Sequence, residues 1–76
     1  MSFQGYLRTI KEKTGKGPEE FRQLAKSKGF TDNGELKATV KATEIVNWLK
    51  ADFQLGHGHA MAIYALLKGV KDEHSE

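Results

Sequence analysis

No cysteine occurs anywhere in the 76 residues. Disulfides therefore cannot staple the fold, and thiol chemistry and zinc–thiolate sites are excluded. No apolar stretch approaches the roughly 20 residues that a membrane-crossing helix needs. The longest runs from Ala60 to Leu67, which suits a buried helix, and no membrane partner is expected. The opening Met1-Ser2-Phe3-Gln4 has neither a basic nor an apolar region, so no secretory signal is read and a cytoplasmic setting is expected. Alternating β-branched runs are also missing, so strands are not expected.

Neither sign of charge dominates, with 12 basic against 10 acidic residues. The net charge is only +2, which does not by itself imply a nucleic-acid partner. Its distribution is uneven: residues 1–31 hold seven basic and three acidic residues, a balance of +4, whereas residues 32–76 hold five basic and seven acidic, a balance of −2. The first part would suit an anionic partner; the plainer reading is a set of solvated helix faces carrying lysine.

A chain of this length folds as one domain spanning residues 1–76 and buries about 60 % of the surface its unfolded form exposes. Its core must be dense with large apolar side chains. Enough are present for one small core, with little left over for the deep, dry pocket that enzymes usually need.

Those side chains recur at helical spacing. Ser2 is placed to cap a first helix over about residues 3–14, where Phe3, Tyr6, Leu7 and Ile10 form one stripe and Gly15 provides the stop. Gly17-Pro18-Glu19-Glu20 opens a second helix, with proline at its first position and two carboxylates in the first turn. Phe21, Leu24 and Ala25 face inward, Gly29 ends the helix, and Phe30 packs back on it. Residues 31–39 read as a loop because Thr31-Asp32-Asn33-Gly34 is a cluster of turn formers. The echo of Leu36-Lys37-Ala38-Thr39 in Val40-Lys41-Ala42-Thr43 is too short to be a structural repeat. A third helix, capped by one of the two threonines, is expected over about residues 41–54, with Ile45, Val46, Leu49 and Phe53 inward and Trp48 on its flank. Gly56-His57-Gly58 then breaks the chain. A fourth helix begins near Gly58 or His59 and is apolar nearly all round, the mark of a central helix. It ends near Gly69, and the polar Asp72 to Glu76 is expected to fray.

Most of the chain, from about residue 3 to residue 69, resembles a small bacterial helical family known as a domain of unknown function. The likeness lies in Tyr6-Leu7, Lys13-Thr14-Gly15-Lys16, Pro18-Glu19-Glu20-Phe21 and Lys28-Gly29. It continues through Glu44-Ile45-Val46, Trp48-Leu49-Lys50 and above all Leu55-Gly56-His57-Gly58-His59-Ala60. The loop from Phe30 to Lys41 is longer here than in that pattern. The resemblance implies a compact helical domain, sometimes attached to other domains, and it brings no catalytic residues.

The Gly-His-Gly-His corner carries the unusual chemistry. Read structurally, Gly56 supplies the left-handed end of the third helix, Gly58 allows an immediate turn into the fourth, and an imidazole makes one capping bond. Read as a metal site, His57 and His59 would need a third ligand from Asp52 or His74, neither at a recognised spacing. Read as an anion site, the glycines leave backbone N–H groups free to approach a phosphate. Gly56-x-Gly58-x-x-x-Ala62 is also similar to the helix-hairpin-helix motif of DNA-binding proteins, which implies amides holding a backbone phosphate. It departs from that motif at His57 and Ala65, where aliphatic residues are usual. The strand and GK[ST] ending of a phosphate-binding P-loop are absent. Ser2, Ser27 and Ser75 lie in no nucleophile-elbow context, and an Asp52–His59 dyad would lack both a third partner and a pocket. Trp48 and Tyr64 suit a core or an interface.

The expectation is an all-α, compact four-helix domain whose last two helices form a tight hairpin at Gly56 to Gly58. The expected function is non-catalytic binding of a protein partner or attached domain, without cofactor or metal. The alternative is weak binding to a nucleic-acid backbone through this corner and the basic N-terminal half. The candidate binding residues are Gly56, His57, Gly58 and His59, with Arg22 and Lys26.

Overall fold

In a computed structural model that describes residues 2–71, the chain forms four α-helices and one short hairpin. The first helix, α1 (Phe3–Thr14), starts where expected, with the Gly5 N–H donating to Ser2 Oγ at 3.1 Å. It stops at Gly15, whose φ of 75° is cheap only without a β-carbon. The second, α2 (Pro18–Ser27), places proline at its first position. Its Glu20 carboxylate accepts the Gly17 N–H at 2.7 Å, so the chain satisfies that helix start itself. At the other end Gly29 and Phe30 donate to Lys26 and Ala25 carbonyls at 3.0 and 2.9 Å, the doubly bonded glycine stop in which the next residue folds back. Phe30 does fold back, half-buried on Trp48 with ring centres 5.3 Å apart.

The segment after Phe30 departs from the expected loop. Thr31–Asp32 (β1) and Glu35–Leu36 (β2) pair antiparallel, Thr31 opposite Leu36 and Asp32 opposite Glu35. Asn33 and Gly34 turn between them with φ of 55° and 81°. Two left-handed residues in succession match the twist of a two-residue hairpin, and Asn-Gly is the pair that adopts them most easily. Leu36 leaves the hairpin half-buried against the core.

The third helix, α3 (Ala42–Phe53), begins at Lys41 with no side-chain cap, so neither threonine serves. The fourth, α4 (His57–Lys68), begins earlier than expected and is central, contacting α1, α2, α3 and the hairpin. Ala60, Ala62, Ile63, Leu66 and Leu67 on it are buried. Around them Ile10, Phe21, Ile45 and Leu49 close the core. The predicted frayed tail, residues 72–76, lies outside the described residues.

Helix α1 packs on α4 and on the segments at its two ends. The Lys71 ammonium lies over the Phe3 ring at 5.9 Å, Tyr6 meets His59, and Lys13 Nζ donates to the Gln54 carbonyl at 2.8 Å.

Candidate functional site

The corner between α3 and α4 is built differently from the expectation. Gln54, and not Gly56, takes the left-handed position that ends α3, with φ 56° and ψ 33°. Its N–H donates to the Lys50 carbonyl at 3.1 Å, and its own carbonyl is the one that Lys13 covers. Leu55 is buried and pins the connection to the core. Gly56 is extended, with φ −69° and ψ 167°, and serves as the N-cap position of α4. The connection is therefore residues 54–56, and His57 and Gly58 already belong to the helix. The reason is geometric: once Gln54 has turned left-handed, Leu55 points inward and the chain enters α4 without a second reversal.

Three features meet at the start of α4. Its N-cap glycine offers no side chain, and no acidic residue lies in its first turn, so the helix brings no carboxylate of its own to the positive end of its dipole. Gly58, exposed, sits flush against α1: a β-carbon added there would lie 3.4 Å from Tyr6 Oη. His59 turns the other way and is half-buried, its ring edge-on to Tyr6 at 4.9 Å and 86°. Its Nε2 atom is buried without a hydrogen-bond partner among the described residues.

From this corner a groove of about 470 Å³ runs between α1 and α4. Phe3 and Ala62 form its nearly buried floor, and half-buried Tyr6, Met61 and Ala65 its walls. Ser2, His57, Gly58 and Lys71 make an exposed rim. Of the candidate residues, His57 and Gly58 line this groove. His59 packs behind it against Tyr6, and Gly56 precedes it as the N-cap residue.

Arg22 and Lys26 lie elsewhere. They line a separate cavity of about 670 Å³ with Glu19, Gln23, the Thr31–Gly34 turn and Leu67. Leu67 is near the far end of α4 from Gly58, about 14 Å along the axis at 1.5 Å per residue. Arg22 is also 3.7 Å from the Glu19 carboxylate. The structure therefore does not join the basic pair of α2 to the Gly-His-Gly corner in one pocket.

The remaining sequence candidates are also placed. Asp52 pairs with Lys28 at 3.5 Å, while the His59 ring packs on Tyr6. Ser2 Oγ is engaged as the cap of α1. Among the described residues no three His, Cys, Asp or Glu side chains gather as a metal site; His74 and Ser75 lie outside them. Trp48 is buried between Phe30 and Phe53. No described helix is long and apolar enough to cross a membrane.

Tyr6 and Lys71 contribute to the groove without having been singled out from sequence. Tyr6 carried a weak signal, since a tyrosine in a stripe of Phe, Leu and Ile marks the edge where a ring keeps one end wet. Lys71 carried none, because its position depends on how α4 lies against α1.

Neither the curated proteins nor the solved structures contain a match to the chain. A family model does match, over residues 2–69, which takes in all four helices and the groove lining except Lys71. The chain belongs to that family, Domain of unknown function (DUF4287).

Proposed function

We propose that this domain is a small non-catalytic binding module, working in the cytoplasm, which holds a protein partner or an attached domain in the groove between α1 and α4. The observation that carries this reading is the groove itself. It has an apolar floor and walls, a size in the range of real ligand clefts, and one polar rim for orientation. The side chains that would have to supply chemistry are engaged elsewhere: Ser2 caps a helix, Asp52 pairs with Lys28, and His59 packs on Tyr6. The nucleic-acid alternative draws less support, because Arg22 and Lys26 line a different cavity, toward the other end of α4 from the Gly-His-Gly corner.

The test is a heteronuclear NMR titration with indole, inorganic phosphate and a short DNA duplex as separate probes. Indole is expected to move the amides of Phe3, Tyr6, Gly58, Met61 and Ala65. Indole shifts confined to other surfaces would refute the groove. Duplex DNA moving residues 56–60 together with Arg22 and Lys26, with affinity falling steeply in salt, would instead favour the phosphate reading; each neutralised phosphate adds about −0.9 to the slope of log affinity against log salt.

A further inference from the structure

The hairpin after α2 holds a reactive pair of residues that the groove does not use. Asn33 and Gly34 make its turn, and both are exposed. The register pairs Asp32 with Glu35, which leaves the Gly34 N–H outside the ladder. Gly34 has no β-carbon, and one added there would meet nothing within 4 Å, so its backbone nitrogen is openly approached. The preceding side chain is a primary amide, whose carbonyl carbon can close a succinimide ring on that nitrogen.

We propose that Asn33 is a site of spontaneous covalent modification by water, at which the side-chain amide is lost and the turn becomes aspartate or isoaspartate. The Gly34 nitrogen gives up its proton and bonds to Asn33 Cγ. The Cγ–Nδ2 bond breaks, and the departing nitrogen leaves as ammonia. Water then opens the ring on either side. Cleavage between the nitrogen and Cγ gives aspartate; cleavage between the nitrogen and the main-chain carbonyl carbon gives isoaspartate. The sum converts an amide and a water into a carboxylate and an ammonium ion, with nothing oxidised or reduced.

The hairpin restrains this reaction only lightly. With φ of 55° and 81° the two residues are held in the turn, and ring closure needs the Gly34 nitrogen to rotate toward Asn33 Cγ. What holds the turn is a pair of two-residue strands, and a hairpin that short is marginal by itself. Opening it leaves all four helices in place, and such local openings cost far less than global unfolding. Asn47 is the internal contrast. It too is exposed, but it lies within α3, where the next N–H belongs to the helix ladder and carries the bulky Trp48 side chain. The two products differ in consequence. Aspartate keeps the turn, since Asp-Gly adopts it readily, and sets a carboxylate on the wall of the cavity that Arg22 and Lys26 line. Isoaspartate adds a methylene to the main chain, so Asp32 and Glu35 lose their register and Leu36 loses its place against the core.

The experiment incubates the whole domain beside a synthetic peptide of residues 30–37 and the variant Asn33→Gly, whose Gly-Gly pair keeps the turn. Each is followed by mass spectrometry with fragmentation that separates aspartate from isoaspartate. The domain should gain the mass of an amide turned to an acid at Asn33, as both products, while Asn47 and the variant stay unchanged. Its rate should fall below that of the peptide by roughly tenfold, the mark of local opening, and not by the thousandfold or more that global unfolding would impose. A domain slowed by roughly a thousandfold would mean that only the unfolded chain reacts, and would overturn the proposal. Conversion at Asn47 as fast as at Asn33, or a mass gain that persists in Asn33→Gly, would overturn it as well.

Discussion

At Gly58 an absent side chain is matched to a present one. Its φ is unstrained, so the requirement there is space: a β-carbon would sit 3.4 Å from Tyr6 Oη, an ordinary contact, but branches beyond it would reach the ring. Gly58→Ala is therefore expected to fold with little change, since the helix gains about 1 kcal/mol of propensity against a slight crowding. Gly58→Val should cost about 1–3 kcal/mol, because it must push Tyr6 out of its packing with His59. His57 is exposed, so His57→Ala should stay within about 0.5 kcal/mol. Chemical denaturation of the three variants checks the order, and a loss at His57 exceeding that at Gly58→Val would contradict it. The sequence pointed to this corner because two glycines in three residues are unusual at the start of an apolar helix. It could not say which residue would bend left-handed. Glutamine is a poor choice for that position, and only the Lys13 bond and the burial of Leu55 make Gln54 the turning point. The Lys13 bond joins positions 41 residues apart in sequence, which local spacing does not reveal.

Helices were the legible elements, and the ends that glycine or proline controls were the most legible of all. Helix α1 matches its expected span, and Gly15, Gly29 and Gly69 all adopt positive φ. The start of α3 was harder to read because its N-cap is Lys41, with no side-chain bond to mark it. The hairpin was missed for a different reason. Asn33-Gly34 is a strong turn signal, but strands of two residues are too short to show alternation, and their pairing shows only when they lie on α2 and α4. The turn still has a measurable role, since it delivers Leu36 to the core. Gly34 sits at φ 81°, a conformation that costs a β-branched residue about 1–2 kcal/mol or more. Gly34→Val is expected to lower stability by that amount while leaving helix content unchanged, read by thermal unfolding and circular dichroism. An unchanged midpoint would mean that the hairpin is peripheral to stability.

Taken whole, the molecule has a radius of gyration of 11.1 Å, close to the roughly 11.4 Å expected for a packed chain of this length. That economy comes from one arrangement, with α4 touched by every other helix and by the hairpin. Its apolar character all round marks it as the central helix; which helix would border it across an open groove depended on how α1 lies against it and could not be read from spacing alone. The same arrangement ranks the molecule by how its parts open. Helix α4 cannot lose its neighbours without the whole core separating, so its hydrogen-bonded amides, from Ala60 onward, should exchange with solvent only through global unfolding. Helix α1 packs chiefly on α4, with the groove opening along that same seam, so it can release first and close again. Hydrogen exchange followed by mass spectrometry should therefore show α1 exchanging faster than α4 in the free domain; equal protection would contradict the ranking. Because the groove exists only while α1 is seated, whatever occupies it must also hold α1 down. Its binding would then be recorded as slowed exchange along Phe3–Thr14, with α4 rising only as far as overall stability rises.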